Sequence, residues 1–300
     1  MFKINSLFLL LSFSMICTGF SQKGGNMEIM APGAILEKLA DGFLFTEGPA
    51  ADAKGNVYFT DQPNDRIMKW SNSGELSTFM QPSGRSNGLF FDRQGNLWAC
   101  ADEKNELWSI SPDKKVTKIP GQFNGKLFNG PNDLWVSPDG GIFFTDPFYK
   151  RSWWNHTSMP QEKQCVYFLY PDHKTIVRVA DDLVQPNGIV GTQDGKTLYV
   201  ADIGGSKTWS YNIEKNGSLT NKTLFCEMGS DGMTIDNKGN LYLTGKGVTI
   251  FDKSGNKAGS IDVPESWTAN VCFGGKGKKI LFITASKGLY CMKMKVSGVK

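Results

Sequence analysis

The sequence predicts an all-β fold, a six-bladed β-propeller. One strand–turn–strand pattern recurs six times along the chain. The turn glycines of these copies, Gly55, Gly95, Gly140, Gly195, Gly239 and Gly277, are spaced by 40, 45, 55, 44 and 38 residues. No stretch beyond the N-terminal segment carries sustained helical periodicity. Repeats of about forty residues with several short strands each are the signature of propeller blades. In order, the copies are EGPAADAKGNVYFTD from Glu47, NGLFFDRQGNLWACAD from Asn87, NDLWVSPDGGIFFTD from Asn132, NGIVGTQDGKTLYVAD from Asn187, DGMTIDNKGNLYLTG from Asp231 and NVCFGGKGKKILFIT from Asn270. Further strands, such as RIMKW at 66–70, ELWSI at 106–110 and KTWSYNI at 207–213, complete the blades. The segment AILEKLA at 34–40 precedes the first copy. It is expected to close the ring as the outer strand of the last blade, beside GLYCMKMKV at 288–296, because closure removes exposed sheet edges.

Residues 1–21 read as a cleaved signal peptide. Lys3 supplies the positive end, Leu7 to Cys17 the apolar run, and Gly19 and Ser21 the small residues before cleavage at Gln22. Residues 22–32 form a short tail and 33–300 a single propeller domain. The protein is therefore expected to be exported, either periplasmic or secreted, with no membrane span. A formal charge of +4 on 300 residues and the absence of long Lys/Arg runs exclude a nucleic-acid footprint. A small-molecule ligand and a monomer or weak oligomer are expected instead. Beyond the leader stand Cys100, Cys165, Cys226, Cys272 and Cys291, an odd number with no CxxC pair. Cys272–Cys291 is a candidate disulfide.

The first residue of each copy carries the chemistry. Glu47, Asn87, Asn132, Asn187 and Asp231 lie eight residues before their turn glycine, and Asn270 lies seven before. Constant register in a propeller brings such residues together at one mouth of the central channel. Turn chemistry accounts for a single Asn or Asp before a strand, but not for Glu47 or for oxygen-bearing side chains in every copy. Carboxylates and amides gathered in a channel are costly without a partner, and a hard cation supplies one. The oxygen ligand set, with His156 and His173 the sole histidines, points to Ca2+ first, with Mg2+, Mn2+ or Zn2+ able to enter the same site in vitro.

On these residues the chain resembles the senescence-marker-protein/gluconolactonase family, which includes the regucalcin-like lactonases. The matching motifs are Glu47-Gly48-Pro49, Arg85-Ser86-Asn87-Gly88, Gly130-Pro131-Asn132-Asp133 with FTDP at 144–147, Pro186-Asn187-Gly188 and Asp231-Gly232-Met233. The resemblance implies a six-bladed propeller with one divalent cation in its channel. It implies Glu47, Asn187 and Asp231 as direct ligands, Asn132 as a residue touching metal or substrate, and Asp231 as general base. Asp133 is a second candidate for the catalytic base. The family's Arg two residues before the third-blade Asn is here Gly130. Arg85 stands two before Asn87 instead, which makes Arg85 and Asn87 candidate substrate contacts. The segment Ala101-Asp102-Glu103-Lys104-Asn105 also departs from the family pattern.

The implied reaction is hydrolysis of a lactone, most simply a sugar lactone, by attack of activated water on the carbonyl. No GxSxG motif offers a serine route. The 55-residue interval contains PFYKRSWWNHTSMPQEK at 147–163. It should overhang the mouth, with Phe148, Tyr149, Trp153 and Trp154 stacking on substrate and Arg151 or His156 as polar contacts; the alternative is a packed loop that only covers the propeller face. Two other functions remain open at this level. One is hydrolysis of another ester or phosphotriester on the same metal. The other is a non-enzymatic ligand-binding propeller with a structural cation.

Overall fold

The computed structural model describes residues 29–299, so the signal segment at 1–21 lies outside the described residues. Six four-stranded antiparallel sheets follow one another along the chain. Their innermost strands are Thr46–Ala51, Ser86–Phe91, Leu134–Val136, Pro186–Gly191, Met233–Ile235 and Thr268–Gly274. Each runs from the ring residues down the channel and returns through a tight turn. Gly55, Gly95, Gly140, Gly195 and Gly239 sit in those turns with φ between 70° and 91°, where a Cβ would be strained. In the sixth copy a short 3-10 turn, Lys276–Lys278, takes this place. It absorbs the one-residue offset, since Asn270 still faces Thr284 as Glu47 faces Thr60. The only helical elements among the described residues are two such 3-10 turns.

The second strands Val57–Asp61, Leu97–Ala101, Ile142–Asp146 and Leu241–Gly245 are buried at every residue. Each lies inside its sheet with a neighbouring blade on either face, so an unbroken apolar run suits it better than alternation. The blades pack through aromatic contacts, such as Tyr58 of the first blade and Phe91 of the second, edge to face at 5.0 Å. Closure occurs as the sequence predicts. Glu37–Ala40 pairs with Gly288–Lys293 as the outer strand of the last blade. Met30 bridges Met294, and Ile29 is buried, so the end of the N-terminal tail joins the propeller.

The candidate disulfide does not form; all five cysteines among the described residues are free and buried. Cys272 and Cys291 both pair with Phe282, from opposite sides. They are two strand spacings apart, roughly 9.5 Å, beyond the reach of an S–S bridge.

Candidate functional site

Three inner strands are bulged where the ring residue meets its glycine: between Glu47 and Ala50, between Ser86 and Leu89, and between Pro186 and Ile189. A bulge places two residues opposite one and re-aims a side chain. In the third and fifth blades the regular strand begins only at Leu134 and Met233, after the ring residue. Equal spacing in sequence is therefore not equal placement in space, and the third blade brings Asp133 as well as Asn132 to the channel. The glycines after the ring residues have a packing reason. A Cβ on Gly48 would run into Asn87, on Gly88 into Asp133 and Asn132, on Gly188 into Asp231 and Gly232, and on Gly232 into Asn270. Each glycine is the point where one blade touches the next around the channel.

Behind this ring stands a set of buried threonines. The hydroxyls of Thr60, Thr145, Thr244 and Thr284 donate to the carbonyls of Asn87, Asp133, Gly232 and Asn270. They tie down the backbone from which the ring side chains project.

Glu47, Asp133 and Asp231 converge within the ring; Glu47 and Asp133 are buried and Asp231 is partly exposed. Burial, then the charges of Asp231 and Asp133, hold the Glu47 carboxyl well above its usual range. Burial pushes Asp133 up to about 7 and Asp231 up to about 6. Glu47 Oε2 accepts the Gly48 amide at 2.7 Å, and Asp133 Oδ1 accepts the Leu134 amide at 2.9 Å. Asn270 Nδ2 lies 3.5 Å from Asp133 Oδ2. Asp231 is held from both sides: Asn187 Nδ2 donates to Oδ1 at 2.8 Å and Trp267 Nε1 to Oδ2 at 2.5 Å. Asp133 also lines a cavity of about 960 Å³ that occupies the channel beyond the ring, walled by Leu89, Ile189, Met233 and Val271.

The arrangement fits a hard cation. Asn187 Oδ1 is buried and has no hydrogen-bond partner. Asn87 and Asn132 are 4% and 5% exposed, and no hydrogen bond from either carboxamide is found among the described residues. Oxygen acceptors without donors, next to three carboxylates that repel one another, are what a divalent cation satisfies. The acids alone would not suffice, since no three His, Cys, Asp or Glu side chains among the described residues cluster closely enough to bind a metal. The amides are needed.

The 147–163 insertion reaches the ring. The Tyr149 hydroxyl oxygen accepts a hydrogen bond from Asn187 Nδ2 at 2.8 Å. Trp153 lies on the rim beneath the Arg85 guanidinium at 4.7 Å. Arg85 itself turns away from the ring, with Nη1 bonded to the Pro63 carbonyl. Trp154 departs from the expectation that it stacks on substrate. It is 9% exposed, packs against His156 at 4.7 Å and donates Nε1 to the Asp102 carbonyl at 2.7 Å. It anchors the insertion. The sequence holds no sign of Trp267, and marks Asp102 only within a segment that departs from the family pattern: neither occupies the repeated ring position, and their partners are 36 and 49 residues away.

The propeller and its acid–amide ring place the chain among channel-site propellers. The family model for the SMP-30/Gluconolactonase/LRE-like region matches residues 45–287, and the chain belongs to that family. Gluconolactonase of Zymomonas mobilis subsp. mobilis is 30% identical over 294 residues, covering 88% of this chain and 82% of that protein. Diisopropyl-fluorophosphatase of Loligo vulgaris is 25% identical over 286 residues, covering 86% and 91%. The solved structure of a gluconolactonase from Xanthomonas campestris superposes with a TM-score of 0.82 at 28% identity, covering 89% and 91% of the two chains.

Proposed function

We propose that this chain is a divalent-cation-dependent lactone hydrolase acting on sugar lactones of the gluconolactone type. One observation carries the reading: in a chain of this family, the buried Glu47 and Asp133, the partly exposed Asp231 and the unpartnered Asn187 Oδ1 share one channel mouth. Glu47, Asn187, Asp231 and Asn132 are the residues that would hold the cation, with Ca2+ the best match to an oxygen-only set. Bound there, a divalent cation supplies Lewis acidity toward the lactone carbonyl oxygen.

The chain's own groups then do the proton work. Asp231 is fixed by Asn187 and Trp267, so its carboxylate is oriented to take a proton from a water attacking the acyl carbon. Asp133 is the second acceptor, on the cavity side of the ring. As the acyl C–O bond of the ring breaks, the released oxygen takes the proton back, and a hydroxy acid leaves. Tyr149 and Trp153 cover the mouth and offer apolar faces to a sugar ring while excluding bulk water. The leader at 1–21 supports export of the mature enzyme.

The test is turnover of sugar and aliphatic lactones by the mature chain, first chelated and then supplied with Ca2+, Mg2+, Mn2+ or Zn2+ in turn. Activity lost on chelation and restored by one cation supports the reading. Full activity in chelator would sink it. The similarity to a fluorophosphatase brings a second ester class into the same panel: a phosphotriester turned over faster than any lactone would reassign the substrate while keeping the metal site.

A further inference from the structure

We propose that Arg151 and Arg85, layered on Trp153 at the rim, form a subsite for an oxyanion, and that the substrate is a lactone bearing a carboxylate or phosphate at the end remote from its carbonyl. This rests on the lactonase reading above.

The second blade breaks the pattern of the repeat. In three blades the aspartate that ends the second strand binds the backbone leading into its own ring residue. Asp61 accepts the amides of Leu44 and Phe45, Asp146 those of Asn129 and Gly130, and Asp202 those of Val184 and Gln185. In the second blade that duty falls to Asp65, which accepts the amides of Ser83 at 2.9 Å and Arg85 at 2.7 Å. Asp102 is thereby released. Its carboxylate is 2% exposed and holds Arg151 Nε at 2.9 Å and Gln62 Nε2 at 3.0 Å. A buried acid that gives up its place in the repeat positions one guanidinium brought in by the insertion.

That guanidinium is docked through Nε alone; its terminal nitrogens make no hydrogen bond among the described residues. It lies over Tyr149 at 5.3 Å and Trp153 at 5.6 Å, and Arg85 lies over Trp153 at 4.7 Å. Arg85 has no ion pair among the described residues; its Nε and Trp153 Nε1 are buried without an acceptor, so the donors open to a ligand are the terminal nitrogens of Arg151. The layer therefore holds two cations against one directly paired buried acid, Asp102, with the charge of Asp231 also felt by Arg151, and with N–H donors in excess. A carboxylate or phosphate supplies the missing acceptor, and a planar guanidinium fits either. Tyr149 spans the gap, with its hydroxyl on Asn187 and its ring under Arg151. One aromatic ring thus separates the reacting centre from the cationic layer, which suits the two ends of one small acid lactone.

The experiment compares kcat/KM for glucono-1,5-lactone, its 6-phosphate and glucaro-1,4-lactone at two ionic strengths. The expected result is a preference of at least about tenfold for one charged lactone, the size of a charge-assisted hydrogen bond, which shrinks in salt. The phosphate and carboxylate arms separate the two sources. R151Q should lower the charged-to-neutral ratio about tenfold or more, R151K should recover part of it, and D102N should lower it through loss of positioning. A role confined to folding, or to offsetting the ring acids, would move charged and neutral substrates together. A wild-type ratio near one, or a ratio unchanged in R151Q, overturns the proposal. Quenching of tryptophan fluorescence by glucose, glucose 6-phosphate and glucuronate gives a readout free of turnover. If no lactone is hydrolysed the lactonase reading fails, and equal binding of the three sugars then overturns the subsite as well, whereas tighter binding of a charged sugar that R151Q abolishes upholds it.

Discussion

At Asp133 the chain places an acid where Gly48, Gly88, Gly188 and Gly232 stand in the other registered copies. The third inner strand lacks the bulge of its neighbours, and Asp133 is held by Thr145, whose hydroxyl accepts the Asp133 amide and whose amide donates to the Asp133 carbonyl. The two candidate bases differ in how they are held. Asp231→Asn keeps an oxygen for Trp267's partner position but removes a charge from the ring, and should lower kcat by about 10²–10⁴ while weakening cation binding. Asp133→Asn should lower kcat less and leave cation affinity nearly unchanged; steady-state rates and calorimetric titration with Ca2+ check both. Gly232→Ala drives a methyl into Asn270 and should destabilise by about 1–3 kcal/mol, the usual cost of overpacking, read by urea unfolding. Glu47, Asn187 and Asp231 were legible because repetition turns one weak turn signal into a register. Trp267 was not, because a donor in the loop before the sixth copy carries no repeated mark.

At the scale of elements, the bulges explain why the ring faces one point although its strands differ in length. The insertion is an element of the site, tied down by Trp154 to Asp102 and by Gln161, whose Nε2 donates to the carbonyls of Phe123, Lys126 and Leu127. Removing residues 150–158 deletes Arg151, Trp153 and Trp154 together. It should raise KM for every lactone turned over by about tenfold or more while the ring keeps its cation. Unchanged kinetics across the panel would reduce the insertion to a cover. The sequence marked this segment by the longest spacing in the repeat. It could not show which of its aromatics faces substrate and which anchors, because Trp153 and Trp154 are neighbours that differ only in what lies opposite them.

For the molecule as a whole, the buried acids make stability depend on protons and cations together. Asp133 and Asp146 are pushed up to about 7 and Asp231 up to about 6, in each case chiefly by burial. An unfolded chain releases those protons near pH 4. Between about pH 4 and 7 the folded, chelated protein binds more protons than the unfolded one, so its stability falls as pH rises through that window. Calorimetric scans of chelated protein should show a higher melting temperature at pH 5 than at pH 8. Ca2+ added at pH 8 should raise it with the logarithm of concentration, and less at pH 5, where protons compete. A melting temperature indifferent to Ca2+ at pH 8 would contradict the site.

The sequence by itself determined the six blades, their closure by residues 34–40 and the register of the acid and amide ring. These follow from periodic patterns, and a period survives without knowledge of what lies across the channel. Tertiary structure alone decided the release of Asp102 to Arg151, the anchoring of Trp154, the seat of Asp133 and the separation of Cys272 from Cys291. Each depends on which side chains from distant blades meet, and strand pairing across tens of residues sets that where local propensity is silent.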